Sequence, residues 1–490
     1  MEIGSATQEN TRPISRGCGW LKALPGKFKA KGFEIVTKTK KLGEDDPRRI
    51  RHSLKAGLAI TLVSLFYYLR PLYDAFGQSG MWAILTVVLV IDFSVGATLC
   101  RSLNRGFATL IAGALAIGTE HFATLFGEKG EPIVLGFLVF FIAAASTFTR
   151  FFPVVRRRYD YGAMIFILTF SLISVSGYRV EKIFELGHKR LSTIIIGAAT
   201  CMVISIFVCP VWAGEDLHNL VADNIEKLAS FLEGFGDEYF KFSEDGDSAM
   251  VSKDDNSVLQ DYKNVLNSKE NEESLANFAW WEPCHGRFGF CHPWKQYLKI
   301  GVLSRQCAYQ IETLNGYINP QPQAPSEFRR KIQQPCTKLS SESSKALKEL
   351  ASAIKNMTHP SSCDLHLQNS KAAAEELKIA LEASPPVKTD LLEVIPAVTV
   401  ASILINIIKS VENISASIHE LSDQARFRTV KSNVIAEKPQ LFHSGTVKPI
   451  SDGDGDGGDG DGGGGDHIVI IVSPENGNPQ GLMRSQHVEV

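Results

Sequence analysis

Hydrophobic positions are spread unevenly along the chain. Between residues 53 and 214 they gather into six runs: Ala56–Leu69, Met81–Cys100, Gly106–Thr119 (extendable to Phe126), Pro132–Thr149, Tyr161–Tyr178 and Leu191–Gly214. A bilayer core about 30 Å thick calls for about 20 mostly apolar residues per spanning helix. The last three runs hold 18, 18 and 24 residues without a charge, too long and too uniform for the amphipathic helices of a soluble globule. The pattern predicts an all-α chain with a six-span transmembrane domain over 53–214. Small residues inside the runs, among them Gly113, Gly118 and Gly197–Ala199, suit ordinary close helix packing.

The pattern changes after residue 214. Leu217, Leu220, Ile225, Leu228 and Leu232 recur at three-to-four spacing, as do Leu298, Val302, Ile311 and Leu314, then Leu347, Leu350 and Ile354. Such stripes predict amphipathic helices packed as a cytosolic bundle over 215–425. Val387–Ser410 is apolar enough to resemble a seventh span, but Lys388, Asp390, Glu393, Pro396 and Lys409 favour a buried helix of that bundle. A basic cytosolic segment, 1–52, precedes the spans. From 426 to 490 a disordered tail is expected, because Ser451–Asp466 is almost purely Asp and Gly and cannot bury enough apolar surface to order itself. Its aspartates match neither an EF-hand loop nor a calcium-binding nonapeptide repeat.

Charge orients the spans. The 490 residues carry 51 Lys+Arg against 53 Asp+Glu, a net charge of -2. This balance disfavours a nucleic-acid binder, and the length excludes a small disulfide scaffold. Lysine and arginine crowd the first 55 residues, the Arg101–Arg105 stretch and Arg150–Arg158, so these sides are predicted cytoplasmic. One loop dissents: Arg179, Lys182, Lys189 and Arg190 fall on the predicted outer side. No apolar stretch follows the first charges, so no signal peptide is expected. All nine cysteines then lie in or beside spans or in a reducing compartment, and no structural disulfide is expected.

No enzyme motif is present: there is no phosphate-binding G-x-x-x-x-G-K-[ST] loop, no H-E-x-x-H and no G-x-S-x-G. No cofactor is expected. Cys284-His285 and Cys291-His292 have zinc-ligand chemistry, but adjacent Cys and His rarely reach one tetrahedral ion, and the flanking aromatics favour a packed loop. Asp92 is the one acid well inside an apolar run. It is either a functional intramembrane acid or the internal partner of an arginine. Arg105 and Arg190 open the third and sixth runs. Arginine rings are how pores favour anions, while span-end arginines also serve as cytoplasmic anchors, and spacing alone favours the anchor for Arg105.

Several ordered motifs resemble one family. They are Asp46-Pro47-Arg48-Arg49-Ile50, Met81-Trp82-Ala83, Phe93-Ser94-Val95-Gly96-Ala97-Thr98-Leu99, Leu103-Asn104-Arg105-Gly106, Arg150-Phe151-Phe152-Pro153, Asp160-Tyr161-Gly162 and Pro210–His218. Trp281-Glu282-Pro283 with His285-Gly286, then His292-Pro293-Trp294, complete the set. Over residues 45–425 the chain is similar to the plant aluminium-activated malate transporters, which are anion channels. The resemblance implies a homodimer of six-span subunits that passes malate and other anions. It also implies that Arg105 and Arg190 line the pathway, and that Phe207–Leu217 matches a regulatory segment. Asp74, Glu181 and Glu185 are placed like the outer acids through which aluminium opens some members. The rival readings are a proton-coupled carrier using Asp92 and a non-transporting membrane scaffold. The plasma membrane is favoured over the vacuolar one only because the best-known relatives act there.

Overall fold

A computed structural model describes residues 26–70, 80–177, 183–240, 260–289, 292–318, 327–382 and 391–428, and among them the fold is all-helical. The first group of helices is α1 (Gly26–Asp45), α2 (Pro47–Tyr68), α3 (Gly80–Val90), α4 (Val95–Thr124), α5 (Gly127–Thr149), α6 (Pro153–Arg158), α7 (Asp160–Gly177) and α8 (Ile183–Phe207). Asp46 caps α2 by accepting from the Arg48 amide at 3.0 Å, and Pro47 supplies the preset first helical residue.

The helix boundaries correct the expected spans. The second and third runs are not divided at Arg101–Arg105. The chain breaks earlier, at residues 91–94, and α4 then runs unbroken for 30 residues through both arginines. The reason is local chemistry. Ser94 caps α4 by accepting from the Ala97 amide at 3.2 Å, and the Asp92 carboxylate accepts from the Phe93 amide at 2.7 Å. These short polar side chains compete for the backbone, whereas arginine is a good helix former. Arg105 thus lies about three turns inside a helix, and Arg190 about two turns inside α8 rather than at its mouth. The sixth run is also divided: α8 ends at Phe207 and a new helix begins at Ala213.

Helices α4, α5 and α8 are long and apolar enough to cross a membrane; α3 and α7 are apolar but shorter. Their shared cores are small. Ala59, Val63, Ala83, Val87, Val90 and Cys201 join α2, α3 and α8, and Ala112, Ala116, Phe170 and Ile173 join α4 to α7. The large side chains turn outward instead: Phe107, Leu110 and Ile111 on α4, and Phe137, Phe140 and Phe141 on α5, are exposed. An apolar surface of that extent requires lipid or protein against it. Gly197 allows α8 to touch α3, since a Cβ there would sit 2.7 Å from the Ala83 carbonyl oxygen.

The second group comprises α9 (Ala213–Tyr239), α10 (Tyr262–Leu266), α11 (Lys269–Ala279), α12 (Trp294–Asn315), α13 (Glu327–Asn356), α14 (Cys363–Glu382) and α15 (Leu391–Gln424). One large core unites them, with Leu217, Ile225, Leu228 and Leu232 meeting Leu347, Leu350 and Ile354 as their spacing predicts. The expected stripe on α12 needs correction. Val302 is exposed, and the buried face runs through Tyr297, Ile300, Cys307, Ile311 and Leu314. By length and composition Val394–Gln424 is a candidate span. It is nevertheless a core helix, because Val400, Leu404, Ile407, Val411, Ile414 and Ile418 are all buried in that core. The Asp/Gly tail, Asp74 and Glu181 lie outside the described residues, and Glu185 falls in the first turn of α8.

A buried ionic cluster, not foreseen from sequence, ties three of these helices. Glu272 of α11 accepts from Arg305 of α12, from Ser268 at 2.7 Å and from Asn224 of α9 at 3.3 Å. Gly301 leaves room for the carboxylate. Arg305→Met would leave a buried carboxylate without its counter-charge, a loss of about 3–5 kcal/mol. The expected outcome is a lower unfolding temperature of the purified protein, and partial recovery in Arg305→Met/Glu272→Leu, where both charges are gone.

Candidate functional site

Two features stand out: a junction where both helical groups meet, and a pair of buried arginines above it.

The junction is organised by Glu282, which follows α11 and whose side chain is 1% exposed. Its carboxylate accepts from the amides of Ala213 at 2.6 Å, Gly214 at 3.0 Å and Gly96 at 3.2 Å. The first two open α9 and the third opens α4. Helix N-termini carry unsatisfied N–H groups and partial positive charge, so an anion there is stabilised. Trp212, the cap residue of α9, provides no side-chain cap of its own; Glu282 supplies it from 69 residues away. Burial pushes the Glu282 carboxyl above its usual range, while the three amides and His285 pull it back.

The rest of the predicted signature packs around this carboxylate. His285 stacks on Trp212, ring centroids 3.8 Å apart, and its Nδ1 lies 2.9 Å from the Pro283 carbonyl oxygen. Gly286 takes φ +52, a conformation that glycine adopts without strain. Trp281 meets Tyr159 edge-on, and the Arg158 guanidinium lies 4.5 Å from the centre of the Trp280 ring. Glycine is required at two contacts. A Cβ at Gly96 would press into the Phe278 carbonyl, and one at Gly214 would meet the Trp294 ring. Arg48 of α2 binds Asp216 of α9 at 2.7 Å, and the Val95 amide donates to the Val211 carbonyl at 2.9 Å. The starts of α2 and α4, the end of α8 and the α6–α7 turn therefore all meet the second helical group on one side. Behind the signature, His218 and His292 flank the Tyr297 hydroxyl at 2.9 and 3.2 Å. Burial pushes both histidines down to about 4.

The expected zinc-type residues are committed elsewhere: His285 to Trp212 and Pro283, His292 to Tyr297. Cys291 lies outside the described residues, and among the described residues no cluster suits a metal.

Arg105 and Arg190 converge. Both are buried, on the packed pair α4 and α8, and Arg190 feels the positive charge of Arg105. Among the described residues neither has a carboxylate partner. Arg105 Nη1 reaches only the Tyr161 hydroxyl, at 3.4 Å, while Arg190 lies 3.9 Å from the centre of the Trp82 ring. Arg105 Nε and Arg190 Nη1 are buried without hydrogen-bond partners. The hydroxyls of Ser102 and Thr109, three and four residues to either side of Arg105, are equally unsatisfied, as is Ser174 on α7. Sequence reasoning missed Ser102 and Thr109. Their spacing from Arg105, which puts all three on one face of α4, was the available signal. Unpaired cations, with idle hydroxyls on the same face of α4 as Arg105, suit a passing anion and water. A cytoplasmic anchor would instead be exposed at a helix end.

Asp92 takes the internal role. It lies in the break before α4 and binds Arg101 at 2.7 Å, so it is no isolated acid within an apolar helix.

Outward-facing apolar helices enclosing unpaired arginines define the chain as a helical membrane protein of transport type. Comparison with known proteins makes this particular. The family described as "Aluminium activated malate transporter" matches residues 40–389. Aluminum-activated malate transporter 2 of Arabidopsis thaliana is 52% identical over 414 residues, covering 84% of this chain and 81% of the relative. Aluminum-activated malate transporter 7 of the same plant is 48% identical over 448 residues, covering 86% and 88%. Aluminum-activated malate transporter 1 of Triticum aestivum is 44% identical over 393 residues, covering 78% and 84%. The chain belongs to the aluminium-activated malate transporter family.

Two outcomes follow for the junction. Glu282→Ala strands three helix-terminal amides in a buried setting, a loss of about 3 kcal/mol or more, and is expected to lower the unfolding temperature more than Glu282→Gln, which keeps one acceptor. Acidification is expected to destabilise the second helical group. Between the ordinary histidine value of 6.5 and about 4, the unfolded chain takes up protons that folded His218 and His292 refuse, so stability falls as pH falls through that window. Unfolding temperature against pH measures this, with a shallower slope expected for His218→Phe.

Proposed function

We propose that this chain forms an anion channel that passes malate, and inorganic anions with it, down their electrochemical gradient. The observation that carries this reading is the pair of buried, carboxylate-free guanidinium groups of Arg105 and Arg190, with the unsatisfied Ser102 and Thr109 hydroxyls on the Arg105 face of α4. A negative cytosol drives a dianion outward, with about 2.3 kcal/mol per charge for each 100 mV. Because the arginines are backed by rings rather than by acids, they keep their charge for the permeant anion.

The same reading has six spans, α2, α3, α4, α5, α7 and α8, alternating in direction, with the second helical group in the cytosol. The breaks at 91–94, 150–159 and 208–212 share the side of that group, which supports the alternation, and the arginines at 150–158 support a cytoplasmic assignment for it. The outward apolar faces of α4 and α5 suit lipid and a second subunit, in keeping with a homodimer in the plasma membrane. A proton-coupled carrier has less support, since its proton site would be Asp92, which is bound to Arg101.

Current recording in oocytes with anion replacement tests the proposal. Outward movement of malate without dependence on a proton gradient is expected; saturating, pH-driven flux would replace the channel by a carrier. Arg105→Glu and Arg190→Glu are each expected to abolish the current while the protein still reaches the membrane. Normal malate current in either would remove that residue from the pathway.

Activation by external aluminium is the finer part of the proposal. Glu181 and Glu185 are four residues apart, one helical turn if the α8 helix extends back to them, and Asp74 precedes the next apolar run. Clustered oxygen ligands of this kind suit a hard trivalent cation. Asp74→Asn and Glu181→Gln are expected to lose the aluminium response but keep basal current, and a normal response in the double variant would make these acids structural.

A further inference from the structure

A second basic site adjoins the Arg105 contact, with Tyr161 in its wall, but draws on other arginines. Two adjacent cavities share Arg156 and Asp160: one of about 430 Å³ opens between the α6 turn, the first half of α4 and helix α11, and one of about 370 Å³ lies at the end of α5 beside Thr147, Arg150 and Phe151. Their charges divide into spent and unspent. Arg101 is bound to Asp92, and Arg150 holds Asp160 through two hydrogen bonds of 2.7 and 3.0 Å. Arg156, Arg157 and Arg158 line the larger cavity, and among the described residues none of them has an ion-pair partner. Arg158 is held in place by the Trp280 ring, with its Nε buried and unpartnered.

The opposite wall is different in kind. Glu270, Glu273, Ser274 and Asn277 of α11 face the same space, and Asn277 Oδ1 is buried without a partner. One wall thus offers cations and the other offers hydroxyl acceptors. Simple phosphate would use only the first wall and be repelled by the second. A phosphorylated polyol would use both.

The surroundings select a lipid. Phe148, Phe151, Phe152 and Val154, immediately before the arginines, are all exposed. An apolar, aromatic stretch running directly into arginines is the composition of a membrane–water boundary, where basic pockets between helices take phospholipid headgroups. We propose that this cavity binds the headgroup of a phosphoinositide-class lipid, its phosphates on Arg156, Arg157 and Arg158 and its ring hydroxyls on the α11 wall. The choice of leaflet, and only that, rests on the proposed function's cytosolic placement of the second helical group. A lipid seated there would join α6 to α11 and so bear on the Glu282 junction, which α11 leads into.

Binding is measured with full-length purified protein in phosphatidylcholine nanodiscs. The probes are short-chain phosphatidylinositol bisphosphate, phosphatidylserine of the same chain length, soluble inositol trisphosphate and inorganic phosphate. The expected result is saturable binding of the phosphoinositide, weaker binding of phosphatidylserine and little of inorganic phosphate. Arg156→Gln/Arg157→Gln/Arg158→Gln is expected to weaken it by about tenfold or more, while Lys38→Gln/Lys40→Gln/Lys41→Gln, which removes as much charge from α1, leaves it within about twofold. Glu270→Gln/Glu273→Gln is expected to narrow the preference for the inositol lipid over phosphatidylserine. Equal loss in both triple variants, or no loss in the arginine variant, overturns the site. Soluble inositol trisphosphate binding as tightly as the lipid overturns the lipid source in favour of a free phosphorylated ligand. Unchanged unfolding temperatures in the variants guard against misfolding. The readout needs no current: Arg190→Glu protein, altered on α8 outside the cavity lining, is expected to bind the lipid normally, so failure of the channel reading and failure of this site are separately visible.

Discussion

The structure turns on one carboxylate shared by two helix beginnings. Each α-helix starts with amides that have no partner in the helix, and burying them unpaired costs about 1–3 kcal/mol apiece. At the meeting of the two helical groups, α4 and α9 both begin in a buried place. Ser94 serves one amide of α4 from nearby sequence; Glu282 serves Gly96 together with Ala213 and Gly214 from far away. The consequence is mechanical as well as energetic. α9 cannot shift against α4 by an ångström or two without breaking these hydrogen bonds, and the Trp212–His285 stack and the Arg48–Asp216 pair resist the same displacement. α4 carries Arg105 about three turns above that contact. Any movement of the second helical group thus reaches the arginine pair along a single stiff helix.

Most of the motifs through which the chain resembles the family read, in three dimensions, as contacts of this junction or of the arginine pair. Asp46-Pro47-Arg48 caps α2 and reaches Asp216. Arg150 and Asp160, ten residues apart, close the α6 turn upon each other. Met81-Trp82-Ala83 supplies the ring against Arg190 and the backbone against Gly197, and Asp160-Tyr161-Gly162 supplies the hydroxyl against Arg105. Trp-Glu-Pro and His-Gly form the joint itself. Sequence order scatters these segments between residues 46 and 294; folding collects them into neighbouring layers.

The all-helical character, the apolar helices and the core stripes of α9 and α13 were legible in the sequence, because periodicity and run length report burial directly. Helix boundaries were less so. Charge suggested a break at Arg101–Arg105, but a break needs groups that compete for the backbone, and those were Asp92 and Ser94. The α12 stripe was misjudged at Val302 because an apolar residue can face outward at little cost, while the true face included Tyr297 and Cys307. Glu272 and Arg305 were invisible for another reason: a buried ion pair between separate helices leaves no local pattern. Arg105 and Arg190 were legible as candidates, yet their meeting, and the idle hydroxyls beside them, required the packing of α4 on α8.

The two layers differ in how their charges are compensated, and the contrast bears on the proposed conduction. At the junction the charged groups named above are paired, although Trp281 Nε1 and His285 Nε2 are buried without hydrogen-bond partners: three amides find one carboxylate, Asp216 finds Arg48, and Asp92 finds Arg101. Around the arginine pair they are not. A fully satisfied polar site holds one arrangement tightly, which suits a joint but would stall a permeant ion. An anion that met Arg105 and Arg190 already neutralised by carboxylates would gain nothing on entering; one that met them inside a closed cage of donors would not leave. Guanidinium groups propped on a tyrosine hydroxyl and a tryptophan face, with spare N–H groups and nearby hydroxyls, fall between these limits. They attract an anion by charge while making few directed bonds that must be broken on departure. In the proposed channel the unsatisfied donors would thus serve the permeant anion, and Ser102 and Thr109 flank Arg105 on α4, the helix whose first turn is bound to Glu282.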